Sequence, residues 1–107
     1  MTDTAVDVHS GPDDTLVIHP RGALGADAAA RLRRLLVQAV RHTRPSRLIL
    51  DLRDVSHLDP INLGALAAAC DLGDDHEVEV SLEHNSPALA DQLCAVGVER
   101  ARLHHRA

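Results

Sequence analysis

Aromatic residues are missing altogether: the 107-residue chain has no Phe, Tyr or Trp, although apolar residues make up 45% of it. Its core must therefore be built from Leu, Val, Ile and Ala. Without aromatic rings, stacking on nucleic-acid bases or on a nucleotide is disfavoured. The formal net charge of −5 at pH 7 points the same way, because nucleic-acid binders depend on a positive surface.

Long apolar runs and export signals are lacking too. No run approaches the ~20 residues that cross a bilayer. The opening MTDTAVDVHS lacks the basic and then apolar order of a signal peptide. We therefore expect a cytoplasmic protein without direct membrane insertion. The two cysteines, Cys70 and Cys94, have no metal or redox spacing, which favours free thiols over a disulfide.

The first half of the chain reads as two strands, a helix and a third strand. Residues 4–9 and 15–19 are strand-like and are joined by the turn formers SGPDD, which predicts a hairpin. Residues 26–42 change to a helical period. The nearly continuous apolar run RLILDL at 47–52 predicts a central strand.

The second half repeats the alternation of helix and strand. A helix of small residues is predicted over 60–72, ended by Gly73 and two acids. EVEVSL at 77–82 alternates, which predicts a half-exposed strand with Ser81 on the outer face. Ser86-Pro87 starts a third helix, for which Gly97 is a natural stop, and the tail from 98 to 107 adds one more turn.

The predicted order β-β-α-β-α-β-α defines a layered α/β fold in one domain, 1–107. We expect a mixed sheet of about four strands with three to four helices. Loops at the carboxyl ends of parallel strands are where such sheets do their work. Two loops meet that description, 57–64 after the third strand and 21–27 after the second, and we expect them to be neighbours.

Two motifs in this series carry a family resemblance. The string DLRDVSHLDPINLGAL is similar to a signature of the type DLSGVSFLDSSGLGVL, and SPALADQLCAVGVE closes the chain in the matching place. With the strand–turn TLVIHPRGAL, these segments resemble the STAS domain family of anti-sigma factor antagonists over about residues 5–103. The resemblance implies a regulatory module that binds another protein, without catalysis and without a cofactor.

The resemblance also implies that this chain lacks the phosphorylation site of the family. Family members are phosphorylated by a partner kinase on the second Ser or Thr of the D-S-S-G string. In this chain the two serines correspond to Pro60 and Ile61, and the glycine corresponds to Asn62. Phosphorylatable members often read G-x-L-D after the second strand, whereas this chain ends that string with Gly25 and has its nearest acid at Asp27. The resemblance therefore implies a protein that cannot be phosphorylated at the family site.

The partner implied by the resemblance is an anti-sigma factor with an ATP-binding kinase fold. The residues expected to contact it come from the two loops: Gly22, Ala23, Leu24, Gly25, Asp27, Asp59, Pro60, Ile61, Asn62, Leu63 and Gly64.

Plainer interpretations of the same residues stay open. Asp59-Pro60 is also an ordinary helix start, with a capping carboxylate and Pro at the first helical position. Ile61 can pack inward or outward, and Asn62 reads as a surface residue that need have no role.

Other functions are weighed against this one. The same fold serves as a docking subunit of ABC lipid-transport ATPases and in signalling assemblies, and a cleft beside the junction could bind a lipid or nucleotide. A catalytic set of Ser56, His57 and Asp59 is disfavoured because neighbouring strand residues point to opposite faces. The eight histidines, His104 and His105 included, show no metal-binding spacing.

Charge is distributed unevenly. Arginines form a basic band along the first helix and beyond, and acids form the reverse patch around 71–83. The ordinary interpretation of either is a solvated face; the other is docking of an oppositely charged partner. The band comprises Arg31, Arg33, Arg34, Arg41, Arg44 and Arg47, and the patch Asp71, Asp74, Asp75, Glu77, Glu79 and Glu83.

Overall fold

The computed structural model of the chain describes residues 5–104. The predicted first residue of the opening strand, residue 4, and the tail from His105 lie outside the described residues. The strands are β1 (Ala5–Gly11), β2 (Thr15–Leu24), β3 (Arg47–Asp51), β4 (Val55–Leu58), β5 (Glu79–Glu83) and β6 (Leu103–His104). The helices are α1 (Ala26–Gln38), α2 (Pro60–Asp75) and α3 (Pro87–Ala95), with a π-helical turn at Ala39–Thr43 and a 3₁₀ turn at Arg100–Arg102.

The predicted α/β fold class is confirmed, with one mixed sheet. Its strands run in the order β1-β2-β3-β5-β6, and β4 pairs with β2. The pair β1–β2 is antiparallel and the other pairs are parallel. The short strands β4 and β6 were not predicted, so the described sheet has six strands where the sequence indicated about four.

The predicted hairpin of β1 and β2 is confirmed. Gly11 pairs with Thr15 across a turn in which Asp13 and Asp14 both have φ of 57°. Aspartate tolerates this left-handed conformation better than most residues, because its short side chain bonds locally. The turn is anchored further by Ser46, whose hydroxyl donates to the Asp14 carboxylate at 2.8 Å.

Strand β2 is longer than predicted and changes partners along its length. It pairs with β3 up to Ile18 and with β4 from Gly22, with a register shift after Gly22. The strand predicted over 15–19 therefore continues past Pro20, which lies between these two stretches, where neither β3 nor β4 is paired to it. The loop predicted over 21–27 is therefore largely strand, and it lies beside the start of α2 as expected.

The central position predicted for β3 is confirmed, since it pairs with β2 on one side and β5 on the other. The alternation predicted for the fourth strand is confirmed except at one residue: Val78, Val80 and Leu82 are buried, and Glu77 and Glu79 are exposed. That strand, β5, lies between β3 and β6 in the sheet. Ser81, predicted to point outward, is buried at 6% exposure together with Val80 and Leu82. Ser81 pairs with the half-buried Ile49 of β3, so the departure from the prediction concerns its exposure and not the alternation of the strand.

Helix α2 runs on past its predicted end. Gly73 was predicted to stop the helix, but it lies inside it, against the start of β5. A Cβ atom at this position would lie 2.6 Å from the Val80 side chain and 2.7 Å from the Val78 carbonyl oxygen. Val78 in turn donates its backbone N–H to the Gly73 carbonyl at 2.8 Å. The glycine therefore permits close contact of helix and strand rather than ending the helix.

The other helices follow the sequence closely. The helix predicted over 26–42 appears as α1 followed by the π-helical turn, which ends at Arg44 with φ of 47°. Helix α3 is capped by Ser86 as predicted, and Gly97 follows it with φ of 102°. The extra turn predicted in the tail is the 3₁₀ turn, and its Arg102 binds both carboxylate oxygens of Asp74, at 2.6 and 2.7 Å.

The core between sheet and helices is aliphatic, as the missing aromatics require. Its most completely buried side chains are leucines with a few other branched residues. These include Ile18, Leu24, Leu32, Leu36, Val40, Leu48, Leu50, Leu66, Val80, Leu82 and Leu93.

Candidate functional site

The start of α2 has the capping structure that the sequence predicted. Asp59 has extended backbone angles, and its Oδ1 accepts a hydrogen bond from the Asn62 backbone N–H at 3.1 Å. Pro60 occupies the first helical position, where the lack of an N–H costs nothing. The Asp59 N–H donates to the Leu24 carbonyl at 3.1 Å, which ties this start to the end of β2.

Ile61 points outward. Its side chain is 59% exposed at the second position of α2, beside the exposed Pro60. The sequence left its orientation open, and the inward alternative is wrong. A branched apolar side chain held in water at a helix start gains by being covered, at roughly 25 cal/mol per Å² of apolar surface removed from solvent.

Asn62 is completely buried, so its interpretation as a surface residue is wrong. Its Nδ2 group lies 2.8 Å from the Leu24 carbonyl oxygen, 2.9 Å from that of Gly25 and 2.9 Å from Asp59 Oδ1. An amide nitrogen has two hydrogens, so these three acceptors share them. Asn62 Oδ1 is buried without a hydrogen-bond partner among the described residues. The side chain thus ties the start of α2 to the chain between β2 and α1.

The 22–27 segment forms the other half of the site. Gly22 has φ of 96°, a conformation that glycine adopts without strain, and its N–H donates to the Asp54 carbonyl at 2.9 Å. Ala23 is exposed on β2, whereas Leu24 is fully buried. Gly25 is the N-cap residue of α1, with extended backbone angles.

Asp27 is exposed in the first turn of α1, where its charge favours the helix dipole. Within α2, Leu63 is buried and Gly64 is exposed. Of the eleven residues predicted to contact a partner, Leu24, Asn62 and Leu63 lie in the core and hold the others in place, while Asp59 and Gly25 are half-buried. The exposed ones, here called the contact surface, are Gly22, Ala23, Asp27, Pro60, Ile61 and Gly64.

Side-chain contacts tie the loop after β3 to β2 and to the residue that follows β5. His19 Nε2 lies 2.8 Å from Asp54 Oδ2. Burial of the Asp51 carboxyl acts to raise its pKa, but hydrogen bonds from the backbone N–H and the guanidinium of Arg53 outweigh it, so the pKa is lowered overall. The same guanidinium lies 2.8 Å from His84 Nε2. These contacts fix the loops around the site.

The arrangement offers no catalytic set in the described residues. Ser56 and His57 are both exposed on β4, and no hydrogen bond between their side chains, or from either to Asp59, is present within 5–104. In the same range no three His, Cys, Asp or Glu residues converge in a way that could hold a metal ion. Both cysteines are free, as predicted. No described helix has the length and apolar character needed to cross a membrane.

Comparison with known proteins places the chain in a family. The sequence model of the STAS domain matches residues 6–104, nearly the whole length. The chain belongs to the STAS domain family, which confirms the resemblance that the motifs indicated. No functionally curated protein matches the sequence significantly.

Solved structures support the fold. The unphosphorylated form of the anti-sigma factor antagonist SpoIIAA of Bacillus superposes with a TM-score of 0.79 at 16% identity, over 96% of this chain and 89% of that one. An anti-sigma factor antagonist from Mycobacterium paratuberculosis gives 0.78 at 22% identity, over 98% and 87%. A sulfate transporter family protein from Wolinella succinogenes gives 0.74 at 22% identity, over 91% and 82%.

Proposed function

We propose that this protein is a regulatory STAS module that binds a protein partner through the contact surface, in the manner of an anti-sigma factor antagonist. The observation that carries the proposal is Ile61, which is 59% exposed at the family's acceptor position. Three large apolar side chains are clearly exposed among the described residues, and Ile61 has a higher exposed fraction than Val8 at 47% or Val96 at 41%. Contact with another protein at the start of α2 would remove this apolar surface from water, together with that of the groove residues beside it.

The same position makes the module independent of phosphorylation at the family site. Neither Ile61 nor Pro60 has a hydroxyl group that could accept a phosphoryl group. The site is also poorly built to hold a phosphate, because Pro60 offers no N–H at the helix start and the N–H of Asn62 is already bonded to Asp59. The output would then follow the amount of the protein or a competitor for its partner.

The partner favoured by the family relationship is an anti-sigma factor of the ATP-binding kinase type. Two of the compared structures carry the description anti-sigma factor antagonist, and their fold covers almost the whole of this chain. Binding alone would suffice for such a role: an antagonist occupies its partner and so releases what the partner held. Catalysis and a cofactor are not part of this proposal.

The test is affinity capture from the native cytosol, with and without ATP, read by mass spectrometry. The wild type should retain an ATP-binding anti-sigma kinase, and Ile61→Asp should lose it. Ala88→Asp is the matched control, because Ala88 is exposed at the second position of α3, the same place in its helix as Ile61 in α2. Equal retention by both variants, or nothing above background, would refute the proposal.

One alternative is supported by the likeness to a sulfate transporter family protein. In that case the module would dock onto a transporter, including an ABC lipid-transport ATPase, or onto a signalling assembly, and the capture would recover that component instead. A small-molecule function, with a lipid or nucleotide in the cleft, would appear as a retained mass in native mass spectrometry of the gently purified protein.

A further inference from the structure

An apolar groove runs between α1 and α2, next to the contact surface. Its volume is about 430 Å³, and one side of it is open to solvent. This volume lies within the ~300–1,000 Å³ typical of binding clefts, so it has room for several side chains. The lining consists of Ala29, Ala30, Arg33, Ile61, Gly64, Ala65 and Ala68.

The groove and the contact surface share Ile61 and Gly64. Ile61 lines the end nearest the start of α2, and Gly64 opens one turn further along. A Cβ atom placed on Gly64 would find nothing within 4 Å. The space above this glycine is therefore empty, and the groove is a continuation of the surface to which the proposed function assigns a partner.

Arg33 and Arg34 give the groove a basic rim on the α1 side. Residues 26–44 contain five arginines and one aspartate, in a chain whose net charge is −5. Arg33 lines the groove itself, and Arg34 lies one turn from Ala30 on the same side of the helix. Within the described residues, none of the five arginines forms an ion pair, although Arg21, Arg47, Arg53, Arg100 and Arg102 each do.

We infer that this groove binds an acidic segment of a partner protein, with apolar side chains inserted between α1 and α2 and a carboxylate paired with Arg33. The inference rests on the proposed function and names the chemistry of its partner. Arg33 and Arg34, which form no ion pair within the described residues, select for negative charge, and the small residues around Ile61 leave depth for apolar side chains. A flat lipid surface would not enter a cleft between helices, and nucleic acid would find no aromatic ring to stack on.

The chain offers variants that test depth and charge separately. Gly64→Leu fills the groove at a point with free space, and it replaces a poor helix former by a good one, so the fold is retained. Arg33→Glu reverses the charge in the groove. Arg31→Glu is its matched control: it makes the same change in net charge on the same helix, but it lies two residues away, on the opposite side.

The probe is a pair of synthetic helical peptides with one identical apolar face, flanked by glutamates in one and by lysines in the other. Binding is followed by NMR of the alanine methyl groups of the full chain. The acidic peptide should shift the methyl signals of Ala30, Ala65 and Ala68 to saturation, and the basic peptide should not. Gly64→Leu should abolish the shifts, and Arg33→Glu should weaken binding about tenfold, well beyond Arg31→Glu.

The inference is overturned if neither peptide shifts these methyl groups, if both bind equally, or if Arg33→Glu and Arg31→Glu weaken binding alike. It is also overturned if vesicles of phosphatidylglycerol shift the same methyl groups more than the acidic peptide does. A concentration-dependent shift without peptide would likewise contradict it, because it would assign the groove to a second copy. The proposed function is judged by the capture experiment, so a kinase retained equally by the wild type and Gly64→Leu refutes this inference alone.

Discussion

Helices α2 and α3 begin with the same chemistry. Each has a capping side chain followed by Pro at the first helical position, Asp59-Pro60 in one and Ser86-Pro87 in the other. In each, the cap accepts a hydrogen bond from the backbone N–H three residues on, at 3.1 Å for Asp59 and 3.2 Å for Ser86. A helix start of this type is ordinary structure, and it cannot by itself mark a site.

The two helices differ at the next two positions. The second helical position is exposed in both, but it holds Ile61 in α2 and Ala88 in α3. The third is buried in both, but it holds an amide, Asn62, in α2 and Leu89 in α3. In α3 the start is anchored by ordinary core packing. In α2 a polar side chain provides the anchor and an apolar one faces water, so the two helix starts place opposite side-chain chemistry inside and outside.

The largest effect is expected from Asn62→Asp. The new carboxylate would be buried against the carbonyl oxygens of Leu24 and Gly25 and beside Asp59, and none of these neighbours carries a positive charge. We expect a loss of about 3–5 kcal/mol of unfolding free energy at pH 7. Urea denaturation followed by far-ultraviolet circular dichroism would measure it, since the chain has no Trp or Tyr to report.

This loss should depend on pH in a defined direction. Burial would raise the pKa of the new carboxyl above its unfolded value of about 3.9. The electrostatic part of the destabilisation is therefore complete above the folded pKa and disappears as the pH falls towards 4. Asn62→Leu is the control: it removes the same hydrogen bonds without charge, and its smaller cost, about 1–2 kcal/mol, should not change over that range. Equal losses at pH 7 would contradict the geometry.

The second effect separates the cysteines of the two helices. Burial raises the pKa of the Cys70 thiol in α2 to about 11, whereas Cys94 in α3 is partly exposed. At pH 8 about one Cys70 in a thousand would be thiolate, the reactive form. We expect Cys94 to react with a thiol reagent at least ~100-fold faster in the native protein, with Cys70 following only on unfolding. Peptide mapping after a timed reaction would show whether both are modified together instead.

The third effect compares the caps. Asp59→Ala removes the acceptor of two hydrogen bonds from Asn62, one from its backbone N–H and one from its Nδ2 group at 2.9 Å. Ser86→Ala removes only the acceptor for the Leu89 backbone N–H. We expect losses of about 2 kcal/mol and about 1 kcal/mol respectively. Both are measured by urea denaturation under identical conditions. A Ser86→Ala cost equal to or greater than that of Asp59→Ala would show that the Asn62 link adds nothing.

The smallest effect on stability is expected from Ile61→Asp and Ala88→Asp. Both positions are exposed in a first helical turn, where a negative charge suits the helix dipole. We expect each unfolding free energy to stay within about 0.5 kcal/mol of the wild type. Loss of partner retention by Ile61→Asp with unchanged stability then reports a lost contact. A large loss of stability would instead show that Ile61 packs inward in solution.

The sequence predicted those parts of the fold in which local pattern and tertiary position agree. The β1–β2 turn, the central β3 and both Pro-containing helix starts follow from local chemistry. Strand β4 was missed because VSHL is short and lacks alternation, and it becomes a strand through its pairing with the far end of β2. Gly73 was assigned wrongly as a helix end because its role depends on the strand that packs against it, and Ser81 is buried although the alternation predicted an exposed residue.

The candidate site was predicted in location and only partly in structure. Asp59 and Pro60 act as the sequence indicated. The role of Asn62 depends on carbonyl oxygens 37 and 38 residues earlier in the chain, which no local pattern reveals. Its one available signal was its replacement of the family's glycine at a helix start, since a polar residue in that place has to find partners.

The two glycines of helix α2, Gly64 and Gly73, differ in their tolerance of substitution. At position 73 any side chain would collide with Val80 of β5 and with the Val78 backbone, so substitutions there destabilise the fold. At position 64 a side chain meets empty space, so substitutions there alter the groove and leave the protein intact. Two glycines nine residues apart in one helix therefore have opposite roles: Gly73 is required for packing, whereas Gly64 is not. The shape of the groove can therefore be varied at residue 64 independently of the packing of helix on sheet at residue 73.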